Sequence, residues 1–435
     1  MPKKSKPMRY RHINKTDVYM WGVFLGVVAL DPAYGYYAFR YTPEFKSTGW
    51  QPSPLVMPTD QDMTYLFTDL PELTYKRLPA MLSDALPDDF GNALVNRYMA
   101  DKGVPVNQIT SLDRLAYMGN RSMGALTFKP SKGPKTDKLI SVELGKLVGE
   151  ARKAIHGEID NDDHASAALR SIIDVGTSAG GARAKAVIAW NPQTEEIVSG
   201  QVDAPDGFEH WLLKFDGIGK DSELGVSQDY GRIEYAYYLM ASDAGINMMP
   251  SRLLHEHGRS HFMTKRFDRE TGNVRHHVQT LCAMNHLDYK KKGTNSYSQL
   301  FSTISALGLP YEDMEEAFRR MVFNVMARNC DDHTKNISFR FRQGHAWELA
   351  PAYDVIFSHN PEGEWTSEHL MSVNGKFKNI TAEDMLKEAD RFGIGTAKQV
   401  IAKLSQSVQR WPQFATEAGV SKAQIEHISG NFVAV

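Results

Sequence analysis

The apolar positions of this chain change their period as the chain is followed. Tyr19 to Leu30 and Tyr36 to Tyr41 are rich in aromatic and β-branched residues, which predicts strands, with Asp31-Pro32 and Tyr34-Gly35 as turn signals between them. Helices are expected at Leu78–Leu82, at Ala93–Ala100 after the turn Leu86-Pro87-Asp88-Asp89-Phe90-Gly91, and from a Ser111 cap to near Gly119. Ser131 to Asp137 is the first clear linker. Helical patterns follow at Ser141–Ile155 and Ala165–Ile173, around an acidic loop from Glu158 to Asp163. The period then returns to strand and loop. Gly176 to Gly181 is small and flexible, Lys185–Trp190 and Trp211–Phe215 read as strands, Ile233–Ala244 as a helix stopped by Gly245, and His261–Phe267 as a strand. The strongest helix is Tyr311–Arg328, with Met314, Phe318, Met321, Val322, Val325 and Met326 at helical spacing. A strand pair, Ile337–Phe341 and Ala346–Leu349, precedes helices at Ala382–Arg391, Ala397–Ser407 and Lys422–Ile428. The plan is strand-rich at the start, mixed in the middle and mostly helical at the end.

Composition narrows the function classes. The 435 residues carry a net charge of -2, so nothing global argues for nucleic-acid or membrane binding. The basic cluster Lys3, Lys4, Lys6, Arg9 and Arg11 reads as a solvated tail. Cys282 and Cys330 belong to no zinc or disulfide pattern and fit a reducing compartment. No signal peptide is expected. The longest apolar run, Trp21 to Leu30, is about half of the ~20 residues a membrane span needs. A cytoplasmic protein without a membrane partner is expected.

The chemistry concentrates after the best helix. Asp331-Asp332-His333-Thr334-Lys335-Asn336 leaves the helix and enters a strand, so Asp-x-x-x-x-Asn lies at a helix-to-strand junction. That is the arrangement of a kinase catalytic loop: the aspartate reaches the attacking hydroxyl and the asparagine reaches a magnesium ion on the phosphates. Two carboxylates at a helix C-terminus oppose its dipole, which points to another use for them. Asp354, preceded by Tyr353, follows the strand pair where a kinase needs its second magnesium ligand. Upstream, Gly176-Thr177-Ser178-Ala179-Gly180-Gly181-Ala182-Arg183-Ala184-Lys185 is a glycine-rich loop entering a strand. It lacks the Lys-Ser/Thr and the following helix of a P-loop NTPase, but its backbone N–H groups suit phosphates. Lys214 on the next hairpin and Glu234 on the next helix supply the lysine–glutamate pair of a kinase. Taken singly, these residues are a turn, an edge lysine and an exposed glutamate. Their order gives them meaning.

These residues resemble the HipA family, bacterial toxin kinases of toxin–antitoxin operons. The resemblance is carried by Gly181-Ala182-Arg183-Ala184-Lys185, Arg266-Phe267-Asp268-Arg269, Asp331 to Asn336, Leu349-Ala350-Pro351-Ala352-Tyr353-Asp354 and Leu86 to Gly91. It implies an α+β, bilobal protein-kinase-like fold: an N-terminal β-rich subdomain over 1–130, a kinase N-lobe over 131–267 and a helical C-lobe over 268–435. It implies ATP and Mg2+. Asp331 would be the catalytic base, and Asn336 and Asp354 the magnesium ligands. Gly180, Gly181, Ala182, Arg183, Ala184, Lys185 and Lys214 would hold phosphates. Lys265, Arg266 and Phe267 would flank the adenine, and His333, Thr334, Lys335, Asn336 and Tyr353 would contact the nucleotide. Ser178 occupies the place of a serine whose autophosphorylation ejects the loop. The implied partners are a protein substrate, an aminoacyl-tRNA synthetase in some relatives, and a HipB-like helix-turn-helix antitoxin that carries the complex to operator DNA. Arg183 and Ala184 replace the family's Gln-Glu, and Asp332 replaces its glycine, where it would raise a neighbouring carboxyl pKa or bind magnesium.

Two other readings compete: a small-molecule or lipid kinase, and a catalytically weak kinase acting as antitoxin corepressor. No basic or amphipathic membrane face supports the first. The intact Lys214, Asp331, Asn336 and Asp354 oppose the second. A metal site at His255-Glu256-His257 with His261 is not expected, because the His-Glu-x-x-His spacing is absent and alternating histidines on a short strand are usually surface residues.

Overall fold

Two residues at positive φ, Trp21 (50°) and Gly22 (79°), fold the first apolar run back on itself. They form a two-residue hairpin turn between β1 (Lys15–Met20) and β2 (Val23–Asp31), with Met20 opposite Val23. The single strand expected over Tyr19–Leu30 is therefore two. With β3 (Tyr36–Tyr41) and β4 (Leu126–Lys129) they make an antiparallel sheet in the order β3-β2-β1-β4. Val18, Met20, Leu25, Val28 and Phe39 are buried on it, together with Leu112, Leu115 and Ala116 of α2 (Ser111–Met118). The α2 cap is Thr110, not Ser111. The Thr110 hydroxyl accepts the Asp113 N–H at 3.1 Å and the Asp113 carboxylate accepts the Thr110 N–H at 3.1 Å, while the Ser111 hydroxyl donates to the Lys76 carbonyl. Helix α1 (Asp89–Asp101) precedes it.

The computed structural model describes residues 10–87, 89–134, 185–201, 203–216, 229–256 and 259–434. The expected helices at 141–155 and 165–173 lie outside these residues. So does the glycine-rich loop, with Ser178, Gly180, Gly181, Ala182, Arg183 and Ala184.

A second antiparallel sheet joins β5 (Lys185–Trp190), β6 (Ile197–Ser199), β7 (Glu209–Lys214), β8 (Ser251–Glu256) and β9 (Arg259–Lys265) in the order β6-β5-β7-β9-β8. Every residue of β5 is buried. Helix α3 (Tyr230–Asp243) starts one turn earlier than its pattern predicts and lies close against the β8–β9 hairpin. A Cβ on Gly231 would collide with the Ser260 carbonyl oxygen, so glycine permits this approach and thereby places Glu234 one turn further on. His261 is fully buried, against the surface position expected for it. Its Nδ1 accepts the Asp216 N–H at 2.9 Å, His255 Nδ1 lies 3.0 Å from the Ser260 hydroxyl, and His257 falls outside the described residues.

The C-terminal part combines a three-stranded sheet, β10 (His277–Thr280), β11 (Ser338–Phe341) and β12 (Trp347–Leu349), with helices. These are α4 (Tyr297–Ala306), α5 (Tyr311–Met326), α6 (Ala382–Arg391), α7 (Ala397–Gln409), α8 (Trp411–Glu417) and α9 (Lys422–Ser429). The six apolar residues read from the α5 pattern are all buried. The helix ends two residues before its pattern does because Arg328 is left-handed, with φ 54°.

The N-terminal sheet region is bonded to this C-terminal body. Trp21 Nε1 donates to the Arg275 carbonyl at 2.7 Å, and Tyr75 OH to the carbonyls of Cys282 and Leu287 at 3.0 and 2.8 Å. The strongest tie is the segment after β9. Arg266 forms a two-pronged bond to the Asp268 carboxylate at 2.8 and 2.7 Å, Arg269 adds a third at 2.6 Å, and the Gly124 N–H adds a fourth at 2.7 Å. Arg275 donates to the carbonyls of Asn120, Ser122 and Gly124. Burial would raise the Asp268 pKa, but Arg266 and Arg269 hold it well below the carboxylate range; burial pulls Arg275 down to about 10. With side chains 3% and 0% exposed, Arg266 and Asp268 form a buried pair. Removing one partner of such a pair strands the other charge, so Asp268→Ala should cost ~3–5 kcal/mol in guanidinium denaturation.

Candidate active site

Strand β7 ends at Lys214, which lies directly opposite Lys185 of β5. Residues opposite one another on paired strands project to one face, so two cations start from the same face. The Lys214 ammonium donates to Glu234 Oε1 at 2.5 Å and also to Asp354 Oδ1. Burial opposes its charge, but Asp354 and Glu234 outweigh burial and its pKa is raised. Burial likewise favours a neutral Asp354. Lys214, and then Lys185, hold the Asp354 carboxyl below its ordinary range. Asp354 itself is left-handed, φ 53°, at the turn after β12. Lys185, Lys214, Glu234 and Asp354 are thus drawn together from two strands, a helix and a loop.

Past the left-handed Arg328 the chain runs through Asp331, whose N–H donates to the Ser358 hydroxyl at 3.0 Å. Its side chain is 46% exposed, and His333 Nε2 lies 3.7 Å from its Oδ1. Asn336 donates its Nδ2 to the Asp331 carbonyl at 2.8 Å, which fixes both ends of the loop and leaves Asn336 Oδ1 as an oxygen donor. The Thr334 carbonyl accepts the Cys282 N–H, and the Lys335 carbonyl accepts the Tyr353 hydroxyl at 2.7 Å. Tyr353 stacks on Phe267 with centroids 5.6 Å apart. Lys265 donates to Glu209 at 2.7 Å. The Arg266 guanidinium, expected beside adenine, is buried on Asp268.

Asp332 does something the sequence did not suggest. Its side chain is buried and held by hydrogen bonds. Oδ1 accepts the Leu370 N–H at 2.7 Å, and Oδ2 accepts the Tyr297 hydroxyl at 2.8 Å and lies 3.0 Å from His369 Nδ1. Asp332 therefore anchors the loop to α4 and to residues 369–370, while Asp331 beside it stays accessible. His369 and Ser358 were missed because nothing local in sequence marks them. Asp84 was also missed; it accepts from Thr280 and lies 3.8 Å from Lys335.

Among the described residues, no three His, Cys, Asp or Glu side chains gather to hold a metal ion. Magnesium at phosphates needs only one or two protein oxygens, with phosphate and water completing its shell. Asp354 and Asn336 Oδ1 fit that requirement. Among the same residues no helix is long and apolar enough to cross a membrane.

Burial disfavours charge on His369, but Asp332 and Cys330 push its pKa up to about 10. A raised folded-state pKa stabilises fully below the unfolded value of about 6.5 and loses that contribution as pH rises toward the folded value. Wild-type stability should therefore fall between pH 7 and 10, and His369→Gln should lack that fall. Urea midpoints of both proteins across this range check it.

A model of the HipA N-terminal domain matches residues 16–129, and one of the HipA-like C-terminal domain matches residues 177–429. The serine/threonine-protein kinase toxin HipA of Shewanella oneidensis is 23% identical over 223 residues, 46% of this chain and 51% of that protein. The match thus spans about half the length of that curated relative. The solved complex of Shewanella oneidensis HipA, HipB and operator DNA contains a chain that superposes with a TM-score of 0.68 at 17% identity, covering 95% of both chains. That likeness establishes a shared fold along nearly the whole length. Since the C-terminal family model alone covers more than half of the sequence, the chain belongs to the HipA family.

Proposed function

We propose that this chain is an ATP- and magnesium-dependent serine/threonine protein kinase and the toxin of a toxin–antitoxin pair. One observation carries the reading: Lys214 is paired to Glu234 and Asp354, and the loop after α5 exposes Asp331 and is braced through Asn336. In this reading Asp331 accepts the proton of the attacking hydroxyl, with His333 beside it. Lys214 and Lys185 offer positive charge to the phosphates, and Glu234 keeps Lys214 oriented when its bond to Asp354 is given up. Asp354 and Asn336 would hold magnesium, which when bound neutralises charge on the transferred phosphoryl group. Phe267 and Tyr353 would border the base. Ser178, with Gly180 to Ala184, would form the phosphate loop and its autophosphorylation switch. A HipB-like antitoxin would bind the kinase and carry it to operator DNA, as the pairing in the Shewanella complex suggests.

Phosphate transfer from labelled ATP tests the chemistry. Asp331→Ala should lower kcat by ~10²–10⁴-fold, the range for removing a positioned proton acceptor. Asp354→Asn should abolish magnesium-dependent turnover. Equal activity of wild type and Asp331→Ala would overturn the reading. Phosphate found by mass spectrometry on other residues but never on Ser178 would remove the autophosphorylation switch alone.

A further inference from the structure

Beside the catalytic loop lies a charge run that the proposed chemistry does not use: Tyr289-Lys290-Lys291-Lys292, between the short helix Leu281–Met284 and Asn295. The Tyr289 ring packs edge-on against His333, with centroids 5.3 Å apart, and His333 is the residue 3.7 Å from Asp331. Two ammonium groups flank that ring: Lys335 Nζ is 5.2 Å and Lys290 Nζ 5.7 Å from its centroid. Lys292 is tied to the Glu364 carbonyl, and Lys291 is exposed. The Tyr289 ring at the head of the basic run thus meets the loop at two residues, His333 and Lys335.

Most charged side chains of this lobe have partners. Arg319, Arg320, Arg340 and Arg391 all lie within 4 Å of a carboxylate. Among the described residues, no carboxylate lies that close to Lys290, Lys291 or Lys292. Asp288, the nearest acid in sequence, is committed to the Thr74 hydroxyl and the Lys290 N–H. An ordinary solvated lysine run would lie anywhere on the surface. This one starts at Tyr289, whose ring touches His333, the neighbour of the group expected to receive the acceptor's proton, and it is distinct from the Lys185 and Lys214 pair on the second sheet.

We infer that Tyr289 to Lys292 is an acceptor-side specificity surface that takes protein segments with Asp or Glu close to the phosphorylated serine or threonine. The inference rests on the kinase reading and names its substrate class. Clustered cations of this kind steer and select acidic partners, and a reversed charge repels them.

The test compares serine peptides with Glu-rich, neutral and Lys-rich flanks, on wild type, Lys290→Glu/Lys291→Glu and Asp331→Ala. Both phosphate transfer and peptide binding by fluorescence anisotropy are measured. Wild type should favour Glu-rich over Lys-rich flanks by about tenfold or more in kcat/KM and in affinity, equivalent to ~1.4 kcal/mol. The double variant should invert that ratio, an outcome that general loss of fold does not produce. Transfer by wild type with equal preference for all flanks would overturn the inference and leave the kinase reading standing. No transfer above Asp331→Ala with any peptide would overturn both. Tight binding of a single-stranded RNA that depends on Lys290 and Lys291, without peptide discrimination, would reassign the surface to nucleic acid.

Discussion

The Lys214 ammonium is the point on which the two lobes agree. It stands on a strand of the second sheet, its first carboxylate comes from α3, and its second comes from a turn 140 residues later in the C-terminal body. Burying such a charge is costly. A buried pair of this kind therefore adds little net stability, whereas losing one partner is severe. Its consequence is geometric: Glu234 and Asp354 bond one nitrogen only when helix, sheet and C-terminal body stand in one relative position. The close approach of α3 at Gly231 is part of the same constraint, since a displaced helix would carry Glu234 out of reach.

The loop from Asp331 to Asn336 obeys a similar logic at shorter range. Consecutive residues of an extended loop point opposite ways, and here they divide the work. Asp332 turns inward, where Tyr297, His369 and the Leu370 N–H satisfy it. Asp331 turns outward and keeps its exposure. Holding one carboxylate rigidly fixes its neighbour without burying it, which suits the proton-accepting role proposed for Asp331. The Asp268 carboxylate does the same for the segment after β9: Arg266 and Arg269 hold it with three hydrogen bonds, and a fourth, from the Gly124 N–H, fastens it to the N-terminal region.

Local patterns were readable. Helix α5 showed its buried face in the spacing of six apolar residues, and among the residues read in kinase order the structure joins Lys214 with Glu234 and Asp354, and Asp331 with Asn336. The Trp21-Gly22 turn was hidden because tryptophan is an unusual residue at positive φ, and the apolar run on both sides read as continuous. Long-range partners were not readable. His369 lies 37 residues from Asp332, and Gly124 lies 144 from Asp268. Such pairings are made by the fold and leave no period or spacing in the chain. Asp332 did leave a signal, as an acid where the resembling family has glycine, but the residue alone could not say that it faces inward.

Lys185 and Lys214 show how the remaining parts relate. Like charges directly opposite one another on paired strands destabilise a sheet. Glu234 and Asp354 offset that repulsion in the structure, and Asp354 is pulled below its ordinary pKa range by both lysines. Asp354 therefore stands where an anion is needed, and it is also the carboxylate suited to a divalent cation. If magnesium claimed Asp354, Lys214 would lose one of its two carboxylates, and another anion would be needed in its place. Phosphates arriving with the metal would supply it. A metal and a polyanion bound together would thus keep the charge around Lys214 balanced, which supports the proposed nucleotide reading on grounds independent of the order of residues in the chain.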